Sequence, residues 1–312
     1  MVVARAVQDI GFRPDTVVTV GTFDGVHAGH RSIIGEVTRR ARSGNCRSVV
    51  VTFDPHPRAV VNRGPVQLLA TLPERLALIE ELGVDAIAVL EFTYAFSRQS
   101  PREFYERYLV KGTGVREVII GYDHMFGRDR QAGTQELQQL GREFGFAATV
   151  VAPVSIEGDI VSSSRIRELL LAGDVKRAER FLGRPYALTG TVVHGDGRGA
   201  QIGFPTANIE VEQKEKLVPA NGVYLVTVEL DNRRYYGMMN IGVRPTVTAG
   251  VQRVIEVHLL DFTGDMYEKR IRIQFLKRLR DEKRFGSVDA LVRQIEDDRQ
   301  ESLKCISTLQ IL

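Results

Sequence analysis

The chain has 312 residues, 43% hydrophobic and 26% charged, with a formal net charge of +3. That length accommodates two domains, and that balance describes an ordinary globular protein. So small a charge does not by itself argue for nucleic acid or an anionic membrane as a partner, and no apolar run approaches the roughly 18–20 residues that cross a bilayer.

The first half alternates apolar runs with amphipathic ones. Strands are predicted at Val17–Val20, Ser48–Phe53, Ala86–Leu90, Val118–Gly121 and Ala148–Val151. Helical patterns lie between them at about His30–Ser43, Pro73–Leu82, Pro101–Val110 and Thr134–Phe144. Strands so continuously apolar are buried on both faces, which predicts a doubly wound parallel sheet covered by helices. Two more helices follow at about Ser164–Ala172 and Asp174–Leu182, and then "GRPYALTG" (Gly183–Gly190) reads as a linker or domain entry. Beyond it, short alternating strands at Leu188–Val193, Gly222–Leu230, Arg234–Ile241, Gln252–Leu260 and Ile271–Leu276 have no helices between them. They predict a small antiparallel barrel, closed by a helix from Ser287 to about Leu309. The expected division is into residues 1–183 and 184–312. Cys46 and Cys305 are distant and form no C-x-x-C, and Arg5 and Asp9 interrupt the segment where a secretory leader would be apolar. Both observations predict a cytoplasmic protein.

The most informative stretch is "GTFDGVHAGH" (Gly21–His30), a glycine-rich turn between a buried strand and a helix. Such a turn offers free backbone N–H groups and the positive end of a helix dipole to phosphate. Gly21, Phe23, Gly25 and Gly29 are its candidate phosphate-facing positions. His27 and His30, three apart at a helix start, share one side and can donate hydrogen bonds to a phosphate in a crowded transition state. The structural alternative is that the histidines merely cap the helix. "VSSSRIREL" (Val161–Leu169) opens a later helix; taken alone its serine caps that helix, and only as a partner to the first motif do Ser163, Ser164 and Arg167 suit a polyphosphate. In the second half, "GTVVHGDGRGAQIGFPTANIE" (Gly190–Glu210) is neither a Walker A loop nor a dinucleotide fingerprint, but its glycines, Gly195 and Gly203 among them, can cover phosphates. Thr206 and Asn208 share a face on a strand and are hard ligands suited to Mg²⁺, or they support a turn.

The first motif, with the serine turn, "TFDPHP" (Thr52–Pro57) and "GYDHMFGRDRQAG" (Gly121–Gly133), resembles the FAD synthetase module of the bacterial bifunctional riboflavin kinase/FAD synthetases. "GFPTAN", "NGVY" (Asn221–Tyr224), "GMMNIGVRPT" (Gly237–Thr246) and "IEVHLLDF" (Ile255–Phe262) stand in the order seen in riboflavin kinases. The resemblance implies ATP-dependent phosphorylation of riboflavin to FMN by the second domain, and adenylylation of FMN to FAD with release of pyrophosphate by the first. It implies ATP as co-substrate, Mg²⁺ held by Thr206 and Asn208, Glu256 as the base, and His27 and His30 as transition-state donors. Asp123, Phe126 and Arg130 fall on the family's flavin pattern; His124 stands where many members carry an aromatic. His56 either touches a phosphate or sits in a rigid proline turn, and Phe53 and Phe126 either face the flavin or belong to the core. Ala200 stands where many members carry arginine, which leaves Arg198 as the nearby cation. "LRDEKRF" (Leu279–Phe285) also resembles the family, which implies that it closes over the flavin, or, as charged runs usually do, it forms a solvated face. Small molecules are the expected partners, with no nucleic acid or membrane and no indication of an oligomer. Two other functions fit part of the pattern: an H-x-G-H nucleotidyltransferase for a different acceptor with a passive barrel, and a flavin- or nucleotide-binding regulatory protein.

Overall fold

The computed structural model describes residues 1–61, 66–122, 133–195, 198–245 and 251–309. Contacts divide the chain into two compact units, Met1–Ser163 and Ser164–Leu312.

The first unit is built on strands β1 (Val2–Ala4), β2 (Thr16–Val20), β3 (Arg47–Asp54), β4 (Ala86–Glu91), β5 (Val115–Gly121) and β6 (Ala147–Val151). They form one parallel sheet in the order β1-β4-β3-β2-β5-β6. The apolar runs become strands because helices cover both faces: every residue of β2 is buried, as are Arg47 through Phe53 of β3. Helix α1 (Ala28–Ser43) turns Ile34, Val37 and Ala41 inward at helical spacing. Then come α2 (Pro57–Val60), α3 (Leu72–Glu80), α4 (Tyr94–Ser97), α5 (Pro101–Phe104) and α6 (Thr134–Phe144). One face of the sheet carries an aromatic core with Phe53, Phe96, Phe104 and Tyr105, the other a core with Phe23, Val26, Ile34 and Ile79. The chain runs from β2 through β3 to β4, then returns to β2's other side as β5, so the order reverses at the end of β2. In open sheets of this kind ligands bind at that reversal.

Two features of this unit depart from the sequence expectation. β1 adds an edge strand of three residues, too short for a pattern to show. The predicted helix Pro101–Val110 continues from α5 as a π-helical segment, Tyr105–Thr113, closed by Gly114 at φ 72°. A Cβ on Gly114 would run into the Arg13 carbonyl, so glycine is needed there twice over. A short hairpin, β7 (Ser155–Ile156) and β8 (Asp159–Ile160), precedes the division.

Helices α7 (Ser163–Leu171) and α8 (Val175–Leu182) lead into β9 (Ala187–Val193), α9 (Arg198–Gln201), β10 (Ala207–Val211), β11 (Gly222–Leu230), β12 (Arg233–Pro245), β13 (Val251–Leu259), β14 (Arg270–Arg280) and α10 (Val288–Leu309). The six strands close an antiparallel barrel in the order β10-β13-β12-β11-β14-β9. The contact division falls two helices earlier than the expected break after residue 183. The cause is that both helices are tied to the barrel: Ala220 N–H donates to the Leu170 carbonyl at 2.9 Å, Gly173 lies against the Arg278 side chain, and α8 packs on β14. "GRPYALTG" is a strand entry, not a loose linker, for Tyr186 is buried and its hydroxyl donates to the Leu217 carbonyl at 2.6 Å. β10 was not among the strands predicted by alternation; its five residues become one by pairing with β9 and β13. Ile295, Leu303 and Ile306 of α10 pack with Leu225, Met238 and Leu260 of the barrel.

Candidate active sites

Directly after β2 the chain makes a cramped turn. Phe23, Gly25 and Val26 take φ of 47°, 84° and 40°, a left-handed region that costs non-glycine residues on the order of 1–3 kcal/mol each. The surroundings offset this. Phe23 and Val26 are buried in the core, Val26 N–H donates to the Phe23 carbonyl at 3.0 Å, and the Asp24 carboxylate accepts the Leu69 and Ala70 N–H groups at 3.0 Å. A Cβ on Gly21 would lie 2.9 Å from the Phe23 ring, so Gly21 is needed for close packing.

His27 is the N-cap of α1, and its Nδ1 accepts the His30 backbone N–H at 3.3 Å. A neutral imidazole accepting at Nδ1 carries its proton on Nε2, which makes Nε2–H the donor His27 can offer. The His27 and His30 rings stack with centroids 3.6 Å apart and 18° between planes, and Phe23 meets His30 edge-on at 5.3 Å. Capping and function are therefore not alternatives here: the cap fixes the imidazole beside the open N–H groups of a helix end. A Cβ on Gly29 would come within 3.3 Å of the His27 ring.

Ser163, first residue of α7, donates from Oγ to the Asp24 carbonyl at 3.0 Å, which ties the serine turn to the histidine turn. Ser164, exposed, and Arg167, half-buried, follow on the same helix. His56 caps α2, its Nδ1 accepting the Arg58 N–H at 3.1 Å, as the rigid-turn reading expects. Phe53 belongs to the core, edge-on to Phe92 and Phe96 at 5.5 and 5.8 Å. Asp123, His124, Phe126 and Arg130 lie outside the described residues.

In the barrel, Glu256 of β13 is paired in register with Asn208 of β10 on one side and Asn240 of β12 on the other. Residues directly opposite on antiparallel strands share a face. The three therefore form one row, and with Thr206 they line a cavity of about 380 Å³. A Cβ on Gly195 would run into the Asn208 amide, and one on Gly199 into the Phe204 carbonyl, so the glycine-rich loop lies hard against this row. Gly203, at φ 85° with open space around it, serves the turn between Ile202 and Phe204, both of which line the cavity. His258 Nδ1 is 2.8 Å from the Pro205 carbonyl, so that nitrogen carries the proton. Among the described residues no group of three or more His, Cys, Asp or Glu side chains could hold a metal. Thr206 and Asn208 offer a hydroxyl and an amide oxygen, a donor set that suits a cation whose other ligands are phosphate and water.

Sequence reasoning missed several cavity residues. Asn240 lay inside a quoted motif without a role; only strand pairing puts it beside Glu256. Glu282, Lys283 and Phe285, from the run read either as a cover over the flavin or as a solvated face, line the cavity, Glu282 and Lys283 being exposed as well. Glu282 is held there by the Asn221 amide and the Val243 N–H, each at 3.2 Å. Arg280 makes a bidentate pair with Asp298 of α10 at 2.8–3.0 Å, with side chains 14% and 7% exposed.

Comparison with known proteins gives two family matches, "FAD synthetase" over residues 10–165 and "Riboflavin kinase" over residues 182–306. Relatives described as bifunctional riboflavin kinase/FMN adenylyltransferases are 41% identical in Pseudomonas fluorescens (90% of each chain) and 36% identical in Bacillus subtilis (95% of this chain, 94% of the relative). A crystal structure of a Streptococcus pneumoniae protein described as a macrolide-efflux protein has a TM-score of 0.87 and 33% identity, covering 96% of this chain and 98% of that one. Among the described residues of the present chain no helix is long and apolar enough to cross a membrane.

Proposed function

This chain belongs to the family of bifunctional riboflavin kinase/FMN adenylyltransferases, and from that premise we propose which of its residues carry each of its two reactions. It phosphorylates riboflavin to FMN with ATP, and it adenylylates FMN to FAD with release of pyrophosphate.

In the barrel, Glu256 accepts the proton of the riboflavin hydroxyl as that oxygen attacks the γ-phosphorus and ADP leaves. Thr206 and Asn208 hold Mg²⁺, which neutralises the triphosphate when bound. The glycine-rich loop that includes Gly195 and Gly203 covers the phosphates with backbone amides. The reading is supported by the row Asn208–Glu256–Asn240, in which Glu256 is paired directly with Asn208 of the neighbouring strand.

In the first unit, a phosphate oxygen of FMN attacks the α-phosphorus of ATP and pyrophosphate leaves. His27 and His30 donate hydrogen bonds to the charge that develops there, beside the helix N-terminus and the Gly21–Gly29 turn. Ser163 serves the leaving pyrophosphate, and Asp123, Phe126, Arg130 and His56 the flavin. The unpaired thiols Cys46 and Cys305 suit a reducing, cytoplasmic setting.

The observation that carries this assignment is that the histidine pair and the Glu256 row fall in different compact units. The test is reciprocal. Glu256→Gln is expected to lower FMN formation by about 10²–10⁴-fold while FMN is still converted to FAD. His30→Ala is expected to lower FAD formation by about 10²–10³-fold while riboflavin is still phosphorylated. Product analysis from riboflavin and from FMN, each with Mg·ATP, reads both; loss of both reactions in either variant rejects the two-site assignment.

A further inference from the structure

Helix α3 delivers one cation to the underside of the histidine turn. Its start is held by a reciprocal cap, with Thr71 N–H donating to Glu74 at 2.8 Å and Glu74 N–H to the Thr71 hydroxyl. The next residue, Arg75, points inward and is 4% exposed, so it is shut off from any ligand in solution. One guanidinium nitrogen donates to the Thr22 carbonyl at 2.6 Å, the other to the Phe53 carbonyl at 2.8 Å. Thr22 begins the turn after β2, and Phe53 lies at the end of β3. The same Thr22 carbonyl takes the Thr52 hydroxyl at 3.3 Å. Burial pushes Arg75 below the usual arginine range, and the Asp24 and Asp54 carboxylates oppose that shift.

A buried cation is costly unless its surroundings use it. Here it bridges the ends of two neighbouring strands at the sheet's reversal. It also draws two carbonyl oxygens to itself, and such oxygens would repel an anion if they faced a phosphate. A lysine could not do the same, since an ammonium lacks the planar fork that reaches two fixed acceptors at once.

We propose that Arg75 is a positioning residue for adenylyl transfer, clamping the ends of β2 and β3 so that the strained Phe23–Val26 turn presents His27 and His30 in register with the α-phosphate. The inference rests on the assignment of that reaction to the histidine pair. Its energetic logic is that a displacement of about 1 Å can cost on the order of 10²-fold in rate, which a distant clamp must prevent.

The test compares the wild type, Arg75→Lys and His30→Ala in the full chain, with FMN formation from riboflavin as an internal control. Arg75→Lys is expected to keep FMN formation and the KM for FMN and ATP, and to lose kcat for FAD formation on the order of 10²-fold. Folded protein is counted by near-UV circular dichroism. A wild-type kcat per folded molecule overturns the proposal, because a merely structural arginine lowers the folded fraction and leaves that quotient alone. If Arg75→Lys does not fold, Thr52→Val removes the other bond to the Thr22 carbonyl. It is expected to lower kcat several-fold at constant KM, and an unchanged kcat overturns the proposal. FAD formation that persists in His30→Ala rejects the histidine assignment itself, which is a different outcome from Arg75→Lys alone behaving as wild type.

Discussion

The histidine turn and the barrel row, to which we assign the two ATP-dependent reactions, are opposite constructions. The turn is contiguous, from Gly21 to His30; its polarity is largely that of backbone N–H groups at a helix end, and its shape comes from left-handed residues held by burial. The barrel row is assembled from β10, β12 and β13, with cavity walls from β14 and α10, and its polarity lies in side chains. A site made of backbone is sensitive to an added Cβ and to whatever holds the turn. A site made of side chains on paired strands is sensitive to the register and closure of the whole barrel.

The largest effect expected from this contrast is at Asp298. Replacing it with alanine leaves the half-buried Arg280 without its carboxylate, at a cost of about 3 kcal/mol, the lower end of what breaking a buried pair costs. FMN formation should then be lost to heating at a lower temperature than in the wild type, while FAD formation from FMN keeps its own inactivation profile. Equal losses of both activities break the comparison.

A smaller effect is expected at Gly195, where an alanine Cβ displaces the Asn208 amide. Shifting a group that supports or ligates a metal typically costs about 10–100-fold in metal affinity. Gly195→Ala should raise the KM for Mg·ATP in FMN formation by about tenfold and leave FAD formation unaltered. Steady-state kinetics of the two reactions in one preparation makes the check.

The smallest effect lies on α1, the helix that carries the histidines. Arg39 and Arg40 hydrogen-bond the Glu36 carboxylate and lower its pKa from 4.5 to about 2. A carboxyl with a lowered folded-state pKa contributes stability that is fully present above the unfolded value and lost as pH falls through the folded one. Glu36→Gln should therefore destabilise the first unit slightly at pH 6, by a few tenths of a kcal/mol, read as a small drop in its melting temperature. That difference should vanish as the pH approaches 2, with the barrel's transition unmoved. Melting curves of both proteins across this range read it.

The alternation of strands and helices in the first half, and of strands alone in the second, was legible because buried strands and helix faces have different periods. β10 was legible only as the strand on which Thr206 and Asn208 would share a face, since its extent depends on β9 and β13 flanking it. The expected break after residue 183 followed a change in texture; contacts also draw α7 and α8 to the barrel through bonds such as Ala220 to Leu170, which no composition change signals. Among candidate residues, His27, Gly29 and His30 could be read together because a turn and a helix start relate them locally. Asn240, Arg280 and Asp298 could not, and for the run holding Glu282 and Lys283 a cover over the flavin and a solvated face both stood open. A charged segment looks the same in a string whether it meets water or a cavity.

The amino-acid sequence by itself determined the turn that carries the histidine pair, because glycine spacing, a buried strand before it and a helix after it act over neighbouring residues. Only the tertiary structure decided that Asn208, Glu256 and Asn240 stand in one row, and that Arg75 reaches both Thr22 and Phe53. Those relations depend on strand register and helix packing between distant segments, where burial of the whole core selects the geometry and no local preference encodes it.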